Sequence, residues 1–228
     1  MKRKLKLAIF DVDGLILDSE VFYAKAWSDA FNANSKDKYK VNEEVMTEWF
    51  YNNLSGKNIG KQLEFIQKEY PHNDIKTIYE EYRSLFRKRL LTESIKVKEG
   101  FFELINYLKN NNVILAIAST SKEVSIRNAF KNAGIDISIF DVLITGDMDL
   151  ECKPSPQPYL KACEILNINP KDAIAFEDSN SGVLSATNAN IDCFLVPGRA
   201  PVSEEVKNKA YAICDNLDDA IEILENIQ

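Results

Sequence analysis

Near its start the chain carries the run Leu5-Lys6-Leu7-Ala8-Ile9-Phe10, which ends abruptly in Asp11-Val12-Asp13-Gly14. A short, nearly continuous apolar run has the pattern of a strand buried on both faces of a parallel sheet; a half-exposed strand would alternate. Ligands of open α/β sheets sit beyond the carboxyl ends of the strands, so Asp11 and Asp13 fall where chemistry is expected. Gly14 then lets the chain leave the strand through a backbone conformation that other residues resist.

Two acids this close repel each other. At ~4 Å and an effective dielectric near 20 a like-charge pair costs about 4 kcal/mol, so a site that keeps both ionised calls for a cation such as Mg²⁺. A calcium-binding loop wants glycine at its sixth position after a helix, whereas Gly14 comes fourth, after a strand. A solvated acidic turn is the plain alternative.

From about Ser19 to Leu91 the periodicity is helical: Val21, Ala24, Trp27 and Phe31, then Leu63, Phe65, Ile66 and Tyr70, then Ile78, Tyr82, Leu85, Phe86 and Leu90. These residues read as core, with the charges between them as solvated faces. After about Thr92 the pattern changes to strands alternating with helices. Strands are expected at Val113 to Ala118, Val142 to Ile144, Ala173 to Phe176, Cys193 to Val196 and Tyr211 to Cys214. Helices are expected after Gly100, from a Ser121 cap to Gly134, from Ser155-Pro156, near Val183 to Ala189, and from Leu217 to Ile227. Such alternation implies right-handed crossovers and a parallel sheet that must include the first strand. The expected architecture is an α/β, Rossmann-like core of residues 1–17 and 93–228, with a helical unit, 18–92, inserted after the first strand.

Three further stretches fall just past predicted strands. Ser119-Thr120-Ser121 offers hydroxyls and amides at a helix start, where an anion is favoured, although a simple helix cap has the same appearance. Lys153-Pro154 restricts the backbone that carries the lysine. Glu177-Asp178-Ser179 adds a second acid pair, which alone would read as dipole partners of the next helix. Together they make the equipment for phosphoryl transfer: acids for Mg²⁺, and hydroxyls and a lysine for phosphate.

Composition narrows the field. The 228 residues are 45% hydrophobic with a net charge of −7, ordinary for a globular protein and adverse to nucleic acid or anionic membranes. Lys2, Arg3 and Lys4 look like the opening of a secretory leader, but the apolar run after them is broken by Lys6 and ended by Asp11. Cys152, Cys163, Cys193 and Cys214 have no metal or redox spacing, which suits reduced thiols in a cytoplasmic protein. His72, the single histidine, leaves histidine triads and histidine-ligated zinc without their parts. A monomer is the default expectation.

The ordered set Asp11-Val12-Asp13-Gly14, Ser119, Lys153-Pro154 and Glu177-Asp178-Ser179 resembles the haloacid dehalogenase superfamily, in its branch with a helical cap after the first strand. That branch includes β-phosphoglucomutase and many sugar-phosphate phosphatases. The resemblance implies Asp11 as a nucleophile that forms an aspartyl-phosphate and Asp13 as general acid and then base. It implies Mg²⁺ on Asp11, Asp178 and the backbone carbonyl of Asp13, with Glu177 beside it, and phosphoryl oxygens on Ser119 and Lys153, beside Thr120. The cap loop, Leu54 to Lys61, departs from β-phosphoglucomutase: Ile59 stands where the mutase has the arginine that grips a second phosphate, and Tyr23 stands where it has a histidine. Lys57 or Lys61 would supply the cap's cation, without arginine's bidentate grip. The expected function is therefore an Mg²⁺-dependent phosphatase of a small phosphorylated metabolite such as a sugar phosphate, ahead of a sugar phosphomutase or a catalytically silent binding protein. Two-component receiver domains also use an aspartyl-phosphate, but are about half this length.

Overall fold

The computed structural model describes residues 4–34, 44, 48, 49, 53, 54 and 59–227. Strand β1 (Leu7–Phe10) is buried along its whole length. It lies between β2 (Ile114–Ala118) and β4 (Ala173–Glu177), with Phe10 opposite both Ile117 and Phe176. With β3 (Val142–Ile144), β5 (Asp192–Leu195) and β6 (Ala212–Ile213) they form a parallel sheet in the order β3-β2-β1-β4-β5-β6.

Both sheet faces are covered, which is why the β1 run does not alternate. Ala8 and Phe10 enter a core shared with α4 (Phe101–Asn110), α5 (Glu123–Ala133) and α9 (Asp219–Ile227). Leu7 and Ile9 face α6 (Gln157–Leu166), α7 (Asn180–Asn188) and α8 (Glu204–Lys207). Each face therefore removes its own apolar set from water, about 25 cal/mol for every Å² covered. The order turns back at β1 and β4, the switch point where an open sheet leaves a crevice past its strand ends.

Between β1 and α4 stand α1 (Glu20–Asn34), α2 (Ile59–Glu69) and α3 (Ile75–Thr92). They carry a separate aromatic core, in which Trp27 stacks on Tyr82 and Tyr23 on Phe86, each at 4.2 Å between ring centroids. Asp74 caps α3 by accepting from the Thr77 amide at 3.2 Å. The two chain segments joining this layer to the sheet run side by side: the Asp18 amide donates to Lys96 O, and that of Lys98 to Ile16 O, both at 2.9 Å. Arg89 of α3 binds Asp29 and Glu93, and Asn132 Nδ2 of α5 donates to Leu90 O at 2.9 Å. No helix among the described residues is long and apolar enough to cross a membrane.

Candidate active site

Lys153 is the centre of the polar cluster at the carboxyl ends of the strands. Its Nζ donates to Asp11 Oδ1 at 2.6 Å, to Glu177 Oε1 at 2.5 Å and to Ala118 O at 2.8 Å. Burial works against its charge, but the attraction of Asp11 and then Glu177 wins, and the lysine is held well above its ordinary pKa. The lysine precedes Pro154, and α6 begins at Gln157 with Pro156 as its N-cap.

Glu177 ends β4 with no exposed surface. The Tyr159 hydroxyl of α6 donates to its Oε1 at 2.6 Å. A Cβ on Gly182 would lie 1.9 Å from the Glu177 carboxylate, so α7 can come down on this acid only because its first turn carries glycine. Burial raises the Glu177 pKa, and Lys153 pulls it back. Asp178 is placed by a similar device. Gly14 has φ +91°, and a Cβ there would stand 2.1 Å from Asp178 Oδ2.

Carboxylate oxygens of Asp11, Glu177 and Asp178 lie within 4.8 Å of one another. Among the described residues the Asp178 carboxylate has no hydrogen-bond donor, and its pKa is pushed well up by burial and then by the charges of Asp11, Glu177 and Glu20. Three clustered carboxylates facing one ammonium leave an excess of negative oxygen, the donor set that a hard divalent cation takes. The acids and their surroundings fit such an ion.

Asp13 is held apart from that cluster. Ser19 Oγ donates to its Oδ1 at 2.8 Å and Ser121 Oγ to its Oδ2 at 2.6 Å. Burial raises the Asp13 pKa, the Ser121 hydrogen bond lowers it, and the charge of Asp11 raises it again. This corrects the expectation that Ser121 caps α5. The cap residue is Lys122, whose ammonium has no acceptor to offer; the Glu123 amide donates to Asp147 Oδ2 at 2.8 Å instead, and the Ser121 hydroxyl goes to Asp13. Ser119 is buried beneath, its Oγ accepting from the Ser121 amide at 3.0 Å, while Thr120 and Ser121 reach the open cavity.

That cavity, of about 640 Å³, lies between the strand ends and the inserted helices. Asp11, Asp13, Asp178 and Lys153 form its floor, and Tyr23, Tyr79, Tyr82 and Phe86 an aromatic wall. Lys57 lies outside the described residues. Lys61 is exposed on α2 and does not line the cavity; Ile59 and Gln62 do, since only one stripe of the helix faces inward and Lys61 is off it. Sequence reasoning missed Glu20, Arg83, Arg87 and Ser181, all on the cavity wall, and Tyr159 beneath it. Glu20 follows closely on the Asp11 motif, which was a usable signal, whereas Arg83 and Arg87 look like any charges on a helix.

A doubly wound parallel sheet with carboxylates and a buried lysine at its switch point, covered by helices inserted after the first strand, defines an α/β protein whose strand-end acid cluster fits a divalent cation. The chain belongs to the haloacid dehalogenase-like hydrolases, whose family profile matches residues 8–196. It is 32% identical over 202 residues to the protein YhcW of Bacillus subtilis (strain 168), covering 86% of this chain and 84% of that one. It is 28% identical over 193 residues to the phosphorylated carbohydrates phosphatase of Thermotoga maritima, covering 82% of this chain and 83% of that one. A crystal structure of CbbY from Rhodobacter sphaeroides in complex with phosphate matches with a TM-score of 0.74 and 25% identity, covering 94% of this chain and 96% of that one.

Proposed function

We propose that this hydrolase is a divalent-metal-dependent phosphatase of small phosphorylated metabolites, with sugar phosphates as the leading class, and that it works through an aspartyl-phosphate. The observation that carries the reading is the meeting of Asp11, Lys153 and Asp178 at one strand-end cluster, with Asp13 poised beside it. The similarity to a phosphatase of phosphorylated carbohydrates supports the substrate class.

Asp11 is the nucleophile. A carboxylate is ionised at neutral pH and needs no base, but it must meet a phosphate that is itself an anion. Lys153 holds Asp11 by one oxygen and brings positive charge to the place where phosphoryl oxygens would rest, beside the Ser119 and Thr120 segment, since its Nζ also donates to Ala118 O. Asp11, Asp178 and the Asp13 backbone carbonyl would hold Mg²⁺, with Glu177 behind them, and the ion would supply the remaining charge neutralisation. Asp11 attacks phosphorus as the bond to the leaving oxygen breaks, and Asp13 gives that oxygen its proton. Asp13, now ionised, takes a proton from water as the water attacks phosphorus; phosphate departs and Asp11 is free again. Residues 18–92 would act as a lid that excludes bulk water and contacts the leaving group, moving about the paired segments near Ile16 to Ser19 and Thr92 to Val97.

The test is phosphate release from an aryl phosphate with and without magnesium. Release is expected to need the ion and to vanish in Asp11→Asn. Full turnover by that variant would overturn the covalent mechanism.

A further inference from the structure

The floor of the cavity is acidic and Glu20 adds a carboxylate to its wall, but the part of the wall that α3 supplies carries only positive charge. Arg83 and Arg87 of α3 line the cavity that Asp11 and Asp178 floor, and Lys122, at the start of α5, lines it too. A spacing of four residues puts both arginines on one helix face, one turn apart. Two like charges at that spacing disfavour the helix unless something negative lies between them. Among the described residues neither arginine has a carboxylate partner; the Arg83 guanidinium lies 5.7 Å from the Tyr79 ring centroid, a contact that orients the group without neutralising it. Lys122 is only loosely engaged, its Nζ 3.9 Å from Asp147. The aromatic rings of Tyr23, Tyr79, Tyr82 and Phe86 complete the wall.

We infer that this enzyme selects substrates carrying a second anionic group on the leaving side, a phosphate or carboxylate held by Arg83 and Arg87 with Lys122, while the transferred phosphoryl group sits at Asp11. The inference rests on the phosphatase reading for which end reacts, but not for the binding itself. Guanidinium groups suit the role because each offers paired donors matched to the oxygens of an oxyanion. A cavity of about 640 Å³ has room for a metabolite phosphorylated at both ends. The neutral tail of a monophosphate would leave the arginines unmatched.

The test is calorimetric binding in magnesium buffer to Asp11→Asn protein, which does not depend on turnover. Fructose bisphosphate is compared with fructose monophosphate, and phosphoglycerate with glycerol phosphate, so that the two arms separate a second phosphate from a carboxylate. The doubly anionic member of at least one pair is expected to bind about 10- to 100-fold more tightly, as one or two charge-assisted hydrogen bonds imply. In Arg83→Gln/Arg87→Gln that preference is expected to fall below about 3-fold, and in Arg83→Lys/Arg87→Lys to survive in part, since charge remains and the fork is lost. Equal binding within both pairs, or a preference that persists in the double glutamine variant, would overturn the inference. Failure of the phosphatase reading would appear separately, as no aryl phosphate release by the unaltered enzyme.

Discussion

Asp178→Asn separates a residue kept for function from one kept for stability. Its carboxylate is 5% exposed by residue, has no donor among the described residues, and lies within 4.8 Å of the Asp11 and Glu177 oxygens. One like-charge pair at that span and an effective dielectric near 20 costs about 3 kcal/mol. Lys153 returns part of this, which leaves a net cost of about 2–3 kcal/mol. Proton uptake sets a ceiling: at pH 7.5 a carboxyl with an ordinary pKa of 3.8 can cost the fold no more than about 5 kcal/mol. For a chain of this size each kcal/mol moves Tm by about 2–4 °C, so in EDTA the asparagine variant is expected to melt roughly 4–12 °C above the parent. Magnesium should reverse the order of benefit. At 100 times its dissociation constant the ion stabilises the parent by about 2.7 kcal/mol and should do little for the variant. The pH dependence has a definite sign. A carboxyl whose pKa is raised by folding takes up a proton as the chain folds, so the metal-free parent loses stability as pH climbs from its ordinary pKa toward the raised one. The gap between the two proteins should therefore close toward pH 4. Calorimetry at several pH values, with and without magnesium, gives every number needed. If Asp178→Asn melted below the parent in EDTA at pH 7.5, the electrostatic account of this cluster would be wrong.

Ser121→Ala removes the hydrogen bond that most lowers the Asp13 pKa, so that pKa should rise further; the alkaline limb of kcat/KM for an alkyl phosphate, which needs Asp13 protonated, should move to higher pH. An unmoved limb would dissociate Ser121 from the general acid. Gly182→Ala would put a methyl 1.9 Å from the Glu177 carboxylate; overpacking of this kind costs about 1–3 kcal/mol, a Tm loss of roughly 2–12 °C, and the displaced acid should also weaken magnesium binding. Unchanged melting would mean that α7 shifts freely.

The parts of the site that were legible in the sequence are those whose signal is local. The β1 run and the acids that end it are adjacent in the chain, and a strand buried on both faces has few other patterns. The acid pair that ends β4 and the restricted Lys153 could be aligned with Asp11 because a parallel sheet brings all its strand ends to one edge. Ser121 was misread for a physical reason: a serine just ahead of a helix has two uses for its hydroxyl, the helix amides or something distant, and only the fold decides. Here it bonds to a carboxylate 108 residues away. Tyr159 gave no signal, since an aromatic on a buried helix face is ordinarily packing, and only the end of β4 beneath it makes its hydroxyl a partner of Glu177.

The cap cation shows the same limit more sharply. In the loop that lacks the mutase's arginine, Lys57 and Lys61 are the cations the sequence offers. Arg83 and Arg87, on a helix outside that loop, line the cavity. Periodicity fixes which residues of a helix share a face, but not which way the face looks. On α3, Ile78 and Tyr82 are buried in the core shared with α1, and Arg83 and Arg87 join Tyr82 on the part of the helix that lines the cavity. An acidic chain can then receive an anionic substrate because its charge is divided locally: carboxylates gather where a cation would sit, and guanidinium groups stand where the far end of the substrate would be. In this fold the sign of charge along the cavity, more than its shape, states what the enzyme can hold.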